Sequence, residues 1–189
     1  MEVAIIHPGE FFATQDDVII STVLGSCISV AFFDRVRHFG GLNHFMLPGN
    51  ANAKEGFYLT ESGKYGMFAM ELLINELIKQ GARKDALVAK VFGGGHVLKN
   101  ATGTAVGSVP QGNIEFALKY LETEKIPIES SDIGGYEARK IFFFPRTNKI
   151  LLKRITGKLI TSVEAEEEEY LEKIRKEAEK KKKENITLF

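Results

Sequence analysis

Asp17-Val18-Ile19-Ile20-Ser21-Thr22-Val23-Leu24-Gly25-Ser26-Cys27-Ile28-Ser29-Val30-Ala31-Phe32-Phe33 is the stretch on which the fold turns. Two runs rich in β-branched and aromatic residues, Asp17–Thr22 and Ile28–Phe33, flank the turn Leu24–Cys27, which reads as strand, tight turn, strand. A connection this short cannot hold a crossover helix, so the two strands belong to an antiparallel arrangement. Working outward, Phe39–Leu47 is a third strand stopped by Pro48-Gly49. Leu87–Phe92 is a buried-type strand ending in Gly93-Gly94-Gly95, and Ile128–Asp132, Arg139–Phe144 and Ile150–Ile155 follow. Arg146–Lys149 joins the last two as a hairpin.

Two helices punctuate the strands. Met70, Leu73, Ile74, Leu77 and Ile78 follow helical spacing, with Gly81 placed to terminate the helix. Asn113 reads as the N-cap of a second helix whose apolar face is Ile114, Ala117, Leu118 and Leu121. Gly49–Ser62 and Asn100–Gly112 read as long loops of the kind that often carry function. Strands outnumber helices and their connections are short. The body is therefore α+β, a largely antiparallel or mixed β-sheet sandwich with flanking helices, and not a doubly wound sheet.

The chain has 189 residues with 25 basic and 25 acidic side chains, 44% hydrophobic residues and one cysteine. That length supports a real core. A single cysteine excludes an internal disulfide and Cys-rich zinc modules, and a neutral balance argues against nucleic-acid binding by overall charge. The start, Met1–Glu10, has no basic leader region, and no stretch reaches the roughly 18 apolar residues a spanning helix needs, so a cytoplasmic protein without membrane insertion is expected.

The charges are unevenly spread. Glu164–Glu184 holds 9 Glu and 7 Lys or Arg in 21 residues, so the expected division is a folded domain over 1–162 and a charged helical extension over 163–189. Glu169/Lys173, Glu172/Lys176, Glu177/Lys181 and Glu179/Lys183 place Glu four residues before Lys, the favourable helical order. The apolar stripe is thin: Tyr170, Leu171, Ile174 and Ala178. Two readings stand, a solvated and frayed helix, or a docking helix with Ile186–Phe189 as a terminal anchor.

The turn at Gly25-Ser26 can present Cys27 at a strand edge with backbone N–H groups free to meet a substrate oxygen, which a thiol nucleophile requires. A lone cysteine is equally a small buried hydrophobe, and a redox-sensing thiol is a third reading. A nucleophile also needs a base. His7 reads as a surface turn residue, His38 as solvated, and His96 as a loop residue after the glycine run. His44 lies on the strand after the one Cys27 opens, where pairing would bring imidazole to thiol; a satisfied core histidine is the alternative. No pair of histidines has helical zinc spacing, and no Gly-Lys-Ser/Thr follows Gly93–Gly95, so neither metal nor cofactor is expected.

The segments Leu24-Gly25-Ser26-Cys27 and Gly41-Leu42-Asn43-His44-Phe45-Met46-Leu47-Pro48 together resemble the CheD family of chemoreceptor glutamine deamidases. Pro8–Phe11, Lys90–Gly95, Gly112–Ile114, Asp132–Gly135 and the closing hairpin agree in order across about residues 3–156. The resemblance implies a Cys-His hydrolase that converts glutamine side chains of methyl-accepting chemotaxis receptors to glutamate. Cys27 would be the nucleophile, His44 the general base and acid, and Ser21 the hydroxyl that orients the imidazole. The family usually has Thr at that position, and Thr22 stands beside it. The segment Val106–Gly112, with Pro110, is longer than is usual in the family. The resemblance further implies receptor cytoplasmic domains as partners, together with a CheC-type phosphatase, for which the chain would be a regulatory binding module in an alternative reading.

Overall fold

The computed structural model describes residues 2–49, 60–97, 109–156 and 159–184. Ile28–Asp34 (β4) is buried along its whole length, as expected of a strand covered on both faces. Side chains alternate across it. Val30 and Phe32 point to one core with Ala89 and Val91, and Ala31 points to a second with Ile20, Leu42, Phe92, Ile141 and Phe143. That alternation defines three layers.

The middle layer is a five-stranded sheet in the order β2-β5-β4-β6-β7, where β2 is Phe11–Thr14, β5 Phe39–Asn43, β6 Leu87–Gly93 and β7 Ile128–Ile133. The second sheet, β1-β3-β8-β9, is built from Glu2–Ile5, Val18–Leu24, Ala138–Phe144 and Lys149–Ile155. β1–β3 and β6–β7 are parallel and the other pairs antiparallel, so both sheets are mixed and the fold is α+β. The hairpin β8–β9 pairs Phe144 with Lys149, as its turn chemistry predicts. Strands β1 and β2, each four residues, are too short to leave a periodic signal.

On the outer face of the middle sheet lie α1 (Glu61–Lys79) and α2 (Val109–Thr123). α1 buries Met70, Leu73, Ile74 and Leu77, is capped by the Thr60 side chain accepting from Gly63 N–H, and ends at Gln80 with Gly81 at φ +99°. α1 thus starts within the segment expected to be loop. Residues 50–59 and 100–108 of the two expected loops lie outside the described residues, as does the expected anchor Ile186–Phe189.

α2 corrects the sequence reading. It begins at Val109, four residues before Asn113, so Asn113 is no cap. It is buried inside the helix, its Nδ2 donating to Ser26 O (2.9 Å) and its Oδ1 accepting from Leu47 N–H (2.8 Å).

The charged segment forms α3, Leu159–Glu184. The expected helix is present and most of its charged side chains are exposed, but one face of it is buried. Leu171 and Ile174 enter the core between the sheets, and Val163 packs with Val97, Ala138 and Ile155. These residues and Glu167 fall on one helical face, and Glu167 is only 1% exposed.

Candidate active site

The turn between β3 and β4 is braced from behind. Gly95 N–H donates to Gly25 O (2.6 Å), Asn113 Nδ2 to Ser26 O and Gly94 N–H to Cys27 O (2.7 Å). With three successive carbonyls held on that side, the N–H groups of Gly25, Ser26 and Cys27 converge on the other. The Gly93–Gly95 run is therefore spent on this turn and not on phosphate. A Cβ on Gly93 would lie 2.2 Å from Cys27 O, so only glycine permits the approach.

His44 follows the end of β5. Its N–H donates to Glu10 O and its carbonyl accepts from Gly9 N–H, which ends regular pairing sooner than the expected strand to Leu47. Pairing resumes for one step: Ile28 and Phe45 exchange both backbone hydrogen bonds at 2.9 Å. Ile28 and Phe45 face the helices, so their neighbours Cys27 and His44 face the space between the sheets. The donor atoms of Cys27, His44 and Glu167 lie within 4.8 Å of one another, all buried. His7, His38 and His96 are elsewhere; His7 hydrogen bonds Glu166, and His96 lies beside the Tyr136 ring.

The hydroxyl that holds the imidazole belongs to Thr22 and not to Ser21. Thr22 Oγ1 is 2.8 Å from His44 Nδ1, whereas the buried Ser21 hydroxyl has no hydrogen-bond partner among the described residues. Strand alternation explains the correction: Thr22 shares the inter-sheet face with Ile20 and Leu24, and Ser21 faces away. The network also assigns the tautomer. Thr22 donates its proton to Ile6 O (2.7 Å), so its oxygen accepts from His44 Nδ1–H. Nε2 then carries a lone pair, and it is buried with no hydrogen-bond partner among the described residues.

Burial holds this imidazole neutral, depressing its pKa to about 3, with the His7 charge adding to the effect. Burial pushes the Cys27 thiol well above its ordinary range, and the neighbouring Glu167 carboxylate raises it further. The resting pair is thiol and neutral imidazole.

Sequence reasoning passed over Glu167, one acid in a run of them. Its Oε1 accepts from Gly25 N–H (2.8 Å) and Cys27 N–H (3.1 Å), and its Oε2 from Ser26 N–H and Ser26 Oγ–H (both 2.7 Å). The available signal was its position: it continues the Val163–Leu171 face, where an acid has no place unless partnered. Cys27, His44 and Glu167 make a possible metal donor set. Both oxygens of Glu167 are nevertheless engaged with N–H and O–H donors, the surroundings of an anion and not of a cation ligand.

A thiol, an imidazole with a free lone pair and converging backbone N–H groups form the equipment of thiol acyl transfer on a β-scaffold. The chain belongs to the CheD family: it matches the family described as CheD chemotactic sensory transduction over residues 46–154. It is 45% identical over 170 residues to a probable chemoreceptor glutamine deamidase CheD 1 from Shewanella oneidensis, covering 90% of this chain and 81% of that protein. With 170 of 189 residues aligned, that stretch takes in Cys27 and His44 wherever it begins. A probable chemoreceptor glutamine deamidase CheD from Methylobacillus flagellatus is 42% identical, covering 92% of this chain and 84% of the relative. Among solved structures, the Bacillus licheniformis hypothetical protein YfiH is similar over 65% of this chain and 49% of its own, with 13% identity and a TM-score of 0.42.

Proposed function

We propose that this protein deamidates glutamine side chains to glutamate on the cytoplasmic domains of chemotaxis receptors, with Cys27 as nucleophile and His44 as general base and acid. The observation that carries the reading is the Cys27–His44 pair under the convergent N–H groups of Gly25, Ser26 and Cys27. The names of the relatives point to the same substrate.

His44 Nε2 takes the thiol proton as the sulfur attacks the carboxamide carbon. Negative charge collects on the amide oxygen, and the N–H groups of Gly25 and Cys27, which already converge on one carboxylate oxygen, stabilise it. The imidazolium returns its proton to the departing nitrogen and ammonia leaves a thioester. His44 then deprotonates water, which attacks the thioester; the C–S bond breaks and glutamate and the thiol are restored. Thr22 fixes the imidazole throughout. A groove of about 470 Å³ lies beside His44, walled by Tyr65 and Phe68 on one side and Tyr170 on the other.

The test is incubation with receptor cytoplasmic domains and mass spectrometry for the glutamine-to-glutamate shift of about 1 Da. Cys27→Ala should lower the rate by roughly four orders of magnitude or more. Unchanged conversion in that variant removes the assignment. Receptor or phosphatase binding with no conversion by the wild type would favour the binding-module reading.

A further inference from the structure

The substrate of the proposed reaction is a glutamine side chain and its product a glutamate, and a glutamate side chain already sits at the thiol. Glu167 reaches the site from a helix, accepts four hydrogen bonds from the turn that carries Cys27, and lies within 4.8 Å of both reactive side chains. A Cβ on Gly25 would lie 2.5 Å from Val97 Cγ2 and 2.7 Å from Glu167 Oε2, so the glycine leaves room for both side chains. Around it α3 is seated by residues at helical spacing, Val163 four before, Leu171 four after and Ile174 seven after. Polar contacts fix the register, Tyr170 OH with Tyr65 OH (2.8 Å) and Arg175 Nε donating to Pro48 O (3.1 Å).

We infer that α3 occupies the seat of the substrate helix, with Glu167 placed as the product glutamate and Val163, Leu171 and Ile174 marking apolar positions −4, +4 and +7 that a target helix matches. The inference rests on the deamidase reading. A substrate helix must displace α3, so the enzyme is latent until one does. The carboxylate fits better than a carboxamide, because an NH2 in place of Oε2 would face Ser26 N–H and keep only Ser26 Oγ as an acceptor. The product form therefore makes the stronger latch. While Glu167 is seated, its charge also helps keep Cys27 a thiol.

Glu167→Gln turns the latch into a substrate in cis. Cys27 Sγ bonds to the side-chain carbonyl carbon of the introduced carboxamide, and the C–N bond breaks. The nitrogen leaves as ammonia with the proton His44 took from the thiol, and water hydrolyses the thioester to restore Glu167. The experiment uses the full chain in two arms. Mass spectrometry follows the residue-167 peptide of purified E167Q and of E167Q carrying Cys27→Ala. Receptor-domain deamidation is compared among wild type, E167A and E167Q, with circular dichroism as the check on folding. Expected are a gain of about 1 Da at residue 167 that requires Cys27, and receptor deamidation by E167A faster than wild type by about tenfold or more. Receptor deamidation at equal rates in wild type and E167A, with the carboxamide of E167Q persisting, overturns the inference and leaves the deamidase reading intact. No conversion of receptor glutamines or of that carboxamide by any folded variant overturns both.

Discussion

α1 and α3 are the two long helices of this molecule, 19 and 26 residues, and they are held by different physics. α1 lays Met70, Leu73, Ile74 and Leu77 into the main core, a contact that is chiefly apolar and carries no buried charge at those four positions. α3 covers its side of the protein with Val163, Leu171 and Ile174, but at the centre of its buried face stands a carboxylate. A buried carboxylate is costly unless hydrogen-bonded, and Glu167 offsets that cost through donors supplied wholly by the β3–β4 turn. α1 belongs to the fold. α3 is bound to it, as a ligand is bound to a site.

The largest expected effect tests what belongs to the body. His44 is neutral when folded, with a pKa near 3, while the unfolded chain protonates it near 6.5. Between those values the unfolded state holds the extra proton, so this contribution is complete above pH 6.5 and is lost as pH falls toward 3. The full span is on the order of 5 kcal/mol. Urea unfolding at a series of pH values should give a steeper acid loss for wild type than for His44→Gln. Equal slopes would show that His44 titrates alike in both states.

Next in size is a direct contrast of the helices. Leu73→Ala should cost about 2–5 kcal/mol of global stability, read as a lower urea midpoint, because it opens a cavity in the main core. Ile174→Ala removes a comparable side chain, yet it should leave the main transition nearly in place and instead expose α3 to limited proteolysis. If Ile174→Ala lowers the midpoint as much as Leu73→Ala does, α3 is as integral as α1 and the contrast fails.

Asn113 supports the site from the body side. Asn113→Ala leaves Ser26 O and Leu47 N–H without their buried partner, a cost of about 1–3 kcal/mol. Because Ser26 O braces the turn, kcat should fall while KM changes little; a change confined to KM would place Asn113 in binding.

These residues also mark how far the sequence could be read. The strands β3 and β4 and the hairpin β8–β9 were legible because β-branched runs and turn residues are local signals. The antiparallel pairing expected of β3 with β4 is not found: the Gly25-Ser26 turn carries the chain from one sheet to the other, where β4 pairs β5 and β6 while β3 pairs β1 and β8. The Cys27–His44 pairing was an expectation contingent on strand register, and the Ile28–Phe45 bridge supplies that register. Asn113 looked like a cap because Asn before an apolar run usually is one, and nothing local marks a helix that starts at Val109. The choice of Thr22 over Ser21 needed the direction of one strand face. Glu167 was hidden among like neighbours; its role depends on contacts more than 140 positions away. What was legible is local and periodic, and what was missed is held by long-range polar contacts.

The smallest expected effect lies at the edge of α3. His7 Nδ1 is 2.7 Å from Glu166 Oε1, and both side chains are well exposed. The hydrogen bond to Glu166 raises the His7 pKa above 6.5, against a small opposing effect of burial, and the charges of Glu166 and Glu10 add to it. A raised histidine pKa means that the ion pair contributes fully below about pH 6.5 and is lost as pH rises through the raised value. At this exposure the contribution is below about 1 kcal/mol. Docking of α3 should therefore loosen slightly from about pH 6 to about pH 8, opposite in direction to the acid sensitivity that His44 gives the body. Limited proteolysis of α3 checks it when wild type is divided by His7→Ala at each pH, which cancels the protease's own pH dependence. Wild type should be cut more slowly than the variant at the lower pH and at nearly the same rate at the higher. A ratio that stays flat would mean that Glu166 gives α3 no hold through His7, leaving Glu167, the apolar face and the Tyr170 and Arg175 hydrogen bonds to seat the helix.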